Sequence, residues 1–536
     1  MHQVIFLYLS LCNPLCVLCV LCGSSKLCLQ IPGVINMRLS DPQTQTYEQL
    51  PYESNPFFES HPGRLATIAY LAGLEPPSPA TCRVLELGCA GGGNLIPAAE
   101  SLPGATFIGV DLAPNQISDG NQIIAALGLK NIRLHAMSLT EITADFGQFD
   151  FIIAHGIYSW VPPDVQRRIL QICKAHLSPN GIAYISYNTQ PGWRLRGITR
   201  DLLLYGQAGI PSNTSLRTKL ARSRDFAEMI LEAAGDEDTG YRRVLSNEID
   251  LVLKAPDSYI AHEHLEPWHE PIYFREFAAR MAEQGLNYLG DARSGRAVQR
   301  VESRLRAQQP ELELEAIHFE QCVDFAVGRQ FRRSLMVHAG QMFQRQIDPV
   351  RLMRCHLTAG VFPTSQIDLH QDGEVCFQSH DGGTFSTGDA ALKAAIVTIA
   401  RAFPAAIAFD AVMENVRIAL NLRAEDSGTK LQLAQSLVSM FNADFLEPHL
   451  TPPVFIKEIS RKPTATSLAR WQAANSRVIH NRRHRGVRSL DSFECSVLAM
   501  LDGTRDIAAL QKITGATDHA VRACLQKLAI SAVLTG

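Results

Sequence analysis

The run Val84-Leu85-Glu86-Leu87-Gly88-Cys89-Ala90-Gly91-Gly92-Gly93-Asn94 most constrains what this chain can become. A short apolar strand carrying an acid meets a glycine-rich turn. A helix containing Pro97-Ala98-Ala99 follows, and a second apolar run, Phe107-Ile108-Gly109-Val110, ends at Asp111. This order belongs to a doubly wound α/β domain, whose ligand crevice opens at the carboxyl ends of parallel strands. The glycines let backbone approach a ligand closely, and the helix amino terminus adds positive potential. Asp111 stands where an acid accepts hydrogen bonds from ribose hydroxyls.

The identity of the nucleoside turns on two residues. A dinucleotide fingerprint needs G-x-G-x-x-G, and here Ala90 occupies the second glycine position, where backbone must meet a pyrophosphate. Glu86 is also badly placed for a diphosphate. It suits a cationic ligand, such as the amino group and sulfonium of S-adenosylmethionine. The run resembles motif I of class I methyltransferases, with Ala90 a mild departure. A nicotinamide or flavin enzyme, and a strand-turn-helix without ligand, are the readings set aside.

Composition frames the rest. A chain of 536 residues with 46% hydrophobic and 19% charged residues is globular, with room for two to four domains. A net charge of −3 supplies no global basic field for nucleic acid. Of 13 cysteines, Cys12, Cys16, Cys19, Cys22 and Cys28 crowd the amino terminus; the rest are scattered and read as buried thiols of a reducing, cytoplasmic compartment. The apolar stretch 4–22 spaces cysteines like a radical S-adenosylmethionine cluster, but they sit in a Leu/Val run. A signal peptide or membrane anchor lacks flanking charge and a cleavage site there. Met37 reads as a natural start, so residues 1–36 are expected to be a dispensable extension, and no membrane contact is expected without them.

From Met37 the pattern alternates. A lead-in carries Tyr47 and Pro51-Tyr52-Glu53-Ser54-Asn55-Pro56-Phe57. A helix near 61–73 precedes strands at 82–87, 106–111, 132–136, 149–154 and 181–187, with helices at 93–101, 115–127 and 163–176 between them. Such alternation predicts a mostly parallel sheet. Residues 214–350 read as mostly helical, for example 217–234, 245–254 and 271–284. Around 360–450 a hairpin turning at Asp372-Gly373, from 367–370 into 374–377, accompanies helices at 389–402 and 428–442. The tail holds a basic run, helices near 491–501, 505–513 and 517–528, and a terminal apolar strand at 532–534.

Further runs carry a wider resemblance. These are His155-Gly156-Ile157-Tyr158-Ser159-Trp160, Tyr187-Asn188-Thr189-Gln190-Pro191-Gly192-Trp193, His262-Glu263-His264-Leu265-Glu266, Arg329-Gln330-Phe331-Arg332 and Leu501-Asp502-Gly503-Thr504-Arg505. Together they resemble bacterial methyltransferases carrying a methyltransferase regulatory domain and a carboxy-terminal winged-helix module, a group that includes rickettsial protein lysine methyltransferases. The resemblance implies a Rossmann-like class I sheet in 37–212, a helical cap in 213–350, a mixed region in 351–450 and a winged-helix-like module in 451–536. It implies S-adenosylmethionine as cofactor and protein lysines as acceptor. A small-molecule N- or O-acceptor is the alternative enzyme, and a non-catalytic cofactor sensor or nucleic-acid-binding regulator the alternative class.

Site residues follow from both readings. Glu86 and the turn residues Gly88, Cys89, Ala90, Gly91, Gly93 and Asn94 are expected to hold the methionine part. Asp111, with Leu112 and Gln116, faces the ribose. Ser138 and Leu139 face adenine, Ser138 standing where an acid is commoner. His155 and Gly156 line the wall after the fourth strand. Tyr158, Trp160 and Tyr187 are expected to form the reactive aromatic slot, aided by Trp193, since aromatic faces lower a lysine pKa by desolvation and tolerate a methylated cation. His262, His264 and His269 match no common zinc spacing, so no metal is expected, and they read as bracing a cap that gates the pocket. The run His480-Asn481-Arg482-Arg483-His484-Arg485-Gly486-Val487-Arg488 reads as a solvated or docking face rather than a nucleic-acid contact.

Overall fold

The computed structural model describes residues 50, 55–211, 213–293, 295–369, 373–423, 427–456, 458–476 and 478–536. The expected extension 1–36, Tyr47, residues 51–54 and the turn residue Asp372 lie outside the described residues. The strands are β1 (Arg83–Leu87), β2 (Thr106–Asp111), β3 (Ile132–Ala136), β4 (Phe149–Ala154), β5 (Leu177–Gln190), β6 (Ile272–Tyr273), β7 (Leu286–Asp291) and β8 (Phe331–His338). They form one sheet in the order β3-β2-β1-β4-β5-β8-β7, with β6 beside the end of β5. The strands from β3 to β5 are parallel; β8 runs antiparallel to β5, and β7 antiparallel to β8.

Helices cover both faces, which is why the central strands read as unbroken apolar runs. Val84, Phe107, Phe151 and Ile182 face α1 (Pro62–Leu71), α2 (Leu95–Ser101) and α3 (Pro114–Leu127). Their chain neighbours Leu85, Ile152 and Ala183 face α4 (Pro163–His176) on the other side. Helix α1 starts where Pro62 needs no N–H partner and the His61 ring accepts the Gly63 N–H.

A bundle of α5 (Trp193–Tyr205), α6 (Leu216–Ala233), α7 (Gly240–Lys254) and α8 (Asp257–His264) builds its own apolar core beside the strand ends. Helix α9 (Phe274–Glu283) then returns to the sheet, burying Phe274, Phe277 and Met281 against it. The stretch 214–350 is mostly helical, as read, and β7 and β8 from it also complete the sheet. Residues 349–450 form another core, and here the expected hairpin is corrected. Strand Val375–Ser379 pairs with Val361–Pro363 and Thr384–Thr387, while Ile367 and Leu369 pack on the core from a loop. In the last region, helices Ser467–Asn475, Ser492–Ala499, Ile507–Thr514 and Asp518–Ile530 surround a core closed by the bridge between Ala465 and Leu534.

The sheet edge depends on a buried charge network. Arg332 in β8 is fully buried. Its Nε and Nη2 donate to Asp324 at 2.8 Å, and Nη1 donates to Asp291 and the Tyr288 hydroxyl at 3.1 Å. The guanidinium also lies 3.9 Å over the Phe274 ring. Removing it leaves buried carboxylates short of a partner. Arg332→Met is expected to destabilise the fold by about 3–5 kcal/mol, read as a lowered denaturation midpoint.

Candidate active site

The carboxyl ends of β1, β2, β4 and β5 open into a cavity of about 580 Å³, within the usual size for a small-molecule site of roughly 300–1,000 Å³. Gly88 begins the turn at φ +74°, and a side chain there would strike Ile157 at 2.8 Å. Ala90 accepts φ +47°, a strained value for a residue with a Cβ. Its N–H donates to Asp111 at 2.8 Å, and the Ala113 N–H donates to the other carboxylate oxygen at 2.9 Å. Asp111 therefore clamps the glycine turn to the start of α3 while facing the cavity.

Glu86 is buried, and Asn94 Nδ2 donates to its Oε1 at 2.7 Å. Oε2 is buried with no hydrogen-bond partner. Burial pushes the Glu86 carboxyl up to about 8, against the lowering effect of the Asn94 bond. A buried acceptor with an unmet oxygen beside an open cavity fits a cationic ligand group, which is the fit that S-adenosylmethionine requires.

Of the sequence-expected cofactor residues, Glu86, Gly88, Cys89, Ala90, Asn94, Asp111, Leu112, Gln116, Ser138, Leu139, His155 and Gly156 line this cavity. Gly91 and Gly93 do not. The Gly91 carbonyl lies against α3, where a Cβ on Gly120 would meet it at 2.5 Å, and Gly93 is buried behind the turn. Ser138 caps a short helical turn, its N–H donating to Glu141 at 2.9 Å.

Trp160 lines the cavity as expected of it, but the places given to Tyr158 and Tyr187 are corrected. Tyr158 is fully buried, with its ring edge on Phe277 at 5.2 Å. Tyr187 stacks on Phe277 at 4.1 Å and bonds Ser334 at 3.0 Å. Both support the sheet behind the cavity. The aromatic wall is instead Trp160 and Trp193, with His269 stacked on Trp160 at 4.4 Å and 4.3 Å from Trp193. Asn188 bonds His269 at 3.0 Å and lines the cavity.

The sequence reading missed other walls. Phe57 from the lead-in stacks on His155 at 3.5 Å and closes one side. Met137, Gln330 and Phe331 line another. From the helical bundle come Arg196, Tyr259, His262 and Glu263. Burial raises the Glu263 carboxyl to about 7, against the lowering pull of Arg196 and His262. Glu263 stood in the quoted His262-Glu263-His264 run, yet only its place on α8 gives it this role. His262 braces the bundle, meeting the Leu50 carbonyl at 2.6 Å and Glu266 at 3.3 Å.

The basic run is not a solvated face. Arg483 and Arg485 bind Glu447 at 3.0 and 2.8 Å, and Arg485 also covers the Phe58 ring. His480 and His484 are buried. The docking-face expectation is thus corrected, because acidic and aromatic partners from distant segments cover these cations.

Protonation of Glu86 has a measurable consequence. Below a pH of about 8 the empty site holds a neutral carboxyl, and a cationic ligand must displace that proton. S-adenosylmethionine affinity is expected to rise as pH climbs toward about 8 and to fall beyond it, as the ligand's own α-amino group, with an ordinary pKa of ~7.7–8.0, loses its proton. Glu86→Gln should flatten the rising limb and weaken binding roughly tenfold or more, the scale of a hydrogen bond to a charged group. Calorimetric titration from pH 6 to 9 checks both outcomes.

Comparison with known proteins agrees with this geometry. A family model described as a methyltransferase domain matches residues 85–183. A predicted methyltransferase regulatory domain matches 256–338, and a PKMT carboxy-terminal winged helix domain matches 461–532. Uncharacterized protein RP789 of Rickettsia prowazekii is 33% identical over 484 residues, covering 87% of this chain and 84% of that protein. Uncharacterized protein RP028 of the same organism is 36% identical over 244 residues, 46% of this chain and 96% of that one. The solved structure of PKMT2 from Rickettsia typhi in complex with AdoHcy is similar with a TM-score of 0.80 at 29% identity, covering 91% of this chain and all (100%) of that one. With a motif I turn, a regulatory domain and the PKMT winged helix in one polypeptide, the chain belongs to this family of S-adenosylmethionine-dependent methyltransferases.

Proposed function

We propose that the chain methylates lysine side chains of protein substrates in the cytoplasm. The carrying observation is that one cavity joins Glu86 and Asp111 to the Trp160–Trp193 wall and the acid Glu263. S-adenosylmethionine supplies an activated methyl group, and the chain's residues must position it and prepare the acceptor. Glu86 receives the amino-acid end, Asp111 the ribose, and Met137, Ser138 and Leu139 border the adenine.

A lysine ammonium near pKa ~10.4 must lose its proton before the nitrogen can attack, a cost of about 4 kcal/mol at cytosolic pH. The Trp160 and Trp193 faces desolvate the amine and favour its neutral form. The same faces hold the methylated cation once formed. Glu263 faces the cavity with a carboxyl poised near neutrality, so its ionised form attracts the incoming ammonium and accepts the released proton. The relationship to PKMT2 supports a protein acceptor. The unpaired state of every described cysteine accords with a reducing compartment, and among the described residues no helix is long and apolar enough to cross a membrane.

Methyl-labelled cofactor, incubated with the protein and a lysate of its host, is expected to label lysine side chains of a few proteins by mass spectrometry. Label confined to small molecules overturns the proposal. The pH profile gives a sharper check. With Glu263 active only when ionised, kcat/KM for the acceptor should fall as pH drops through about 7. Glu263→Gln should lose that limb and about 10²-fold in rate, while cofactor affinity stays within about twofold of wild type.

A further inference from the structure

The winged-helix region reaches the cofactor pocket through one side chain. Strands Ile479–His480 and Gly486–Val487 pair, and the turn between them is locked by Asn481. The Asn481 Oδ1 accepts the N–H groups of Arg483 and Arg485, both at 3.0 Å. His484 sits on this turn at φ +56°, buried, with Nε2 2.7 Å from Asn94 Oδ1. The neighbours settle the polarity of this contact. Glu86 Oε1 needs a donor and takes Asn94 Nδ2, while the Phe57 N–H needs an acceptor and takes Asn94 Oδ1 at 2.9 Å. The oxygen facing His484 only accepts, so the imidazole must donate from Nε2.

We propose that His484 is a positioning residue for the cofactor: it holds the Asn94 amide so that Glu86 presents its unpaired oxygen to the methionine end, making the winged-helix region a working part of the cofactor pocket. The chain of contacts is continuous, from the Asn481-locked turn through Asn94 to the carboxylate. Asn94 also ties the Phe57 segment, whose ring stacks on His155, into the same node. The inference rests on the reading that Glu86 receives the cationic end of S-adenosylmethionine.

Three substitutions separate this role from simple packing. A glutamine places its amide nitrogen where the imidazole Nε2 stands. An asparagine suits the left-handed backbone better but is too short to reach. His484→Ala and His484→Asn should raise the Kd and KM for S-adenosylmethionine about tenfold with kcat at saturating cofactor within about twofold, and His484→Gln should restore affinity to within about twofold of wild type. Reciprocity gives a readout in the unaltered chain: cofactor should slow amide hydrogen exchange across residues 481–487. Wild-type affinity in both short variants, or unchanged exchange at 481–487, overturns the proposal provided that Glu86→Gln weakens binding. If Glu86→Gln also binds normally, the reading of Glu86 fails instead.

Discussion

The hydrogen bonds around Asn94 are the constraint on which the pocket depends. An amide has distinct donor and acceptor ends, and its orientation is held by Glu86 on the nitrogen and by the Phe57 N–H and His484 on the oxygen. A buried carboxylate is costly unless satisfied, and Glu86 has only half of its hydrogen bonding met. The fold thus maintains a polarised site with one carboxyl oxygen unmet beside the cavity. The positive φ at Ala90 belongs to the same pattern, since local strain persists where the surroundings over-determine it, here through the Asp111 clamp.

Parallel strands covered on both faces carry a signal that needs no tertiary knowledge. The expected strands at 106–111, 132–136 and 149–154 coincide with the observed ones, although the outermost, β3, leaves Arg133, His135 and Ala136 exposed. Strand β8 escaped notice because Arg332, Arg333 and Ser334 look like a solvent-facing segment. The carboxylates of Asp291, Glu320 and Asp324, brought in by other elements, let Arg332 occupy the interior. The basic run 480–488 misled in the same way, for nothing near it in sequence reveals that Glu447 will cover its arginines.

The candidate site divides along the same line. The turn and strand-end acids were legible because a ligand-binding βα unit is a local device. Its aromatic wall was not, since residue type alone does not say which way a ring points. The expected fifth strand ended at Tyr187, yet β5 continues to Gln190, so Tyr187 lies within the sheet opposite Arg332. Tyr158 turns inward onto Phe277, within the apolar core that packs behind β4. Trp193 instead begins α5 immediately beyond β5, where a large ring can reach the cavity.

A pocket assembled from the lead-in, the sheet, the helical bundle and the segment before β8 has a thermodynamic consequence. Each wall is an element whose docking competes with chain entropy, and each docking is stabilised by whatever fills the space between them. Cofactor and acceptor therefore strengthen contacts that are remote in sequence, such as the bond between His262 and the Leu50 carbonyl. The stretch matched by the regulatory-domain model supplies Tyr259, His262 and Glu263 as one wall, so packing of the bundle and filling of the cavity favour each other.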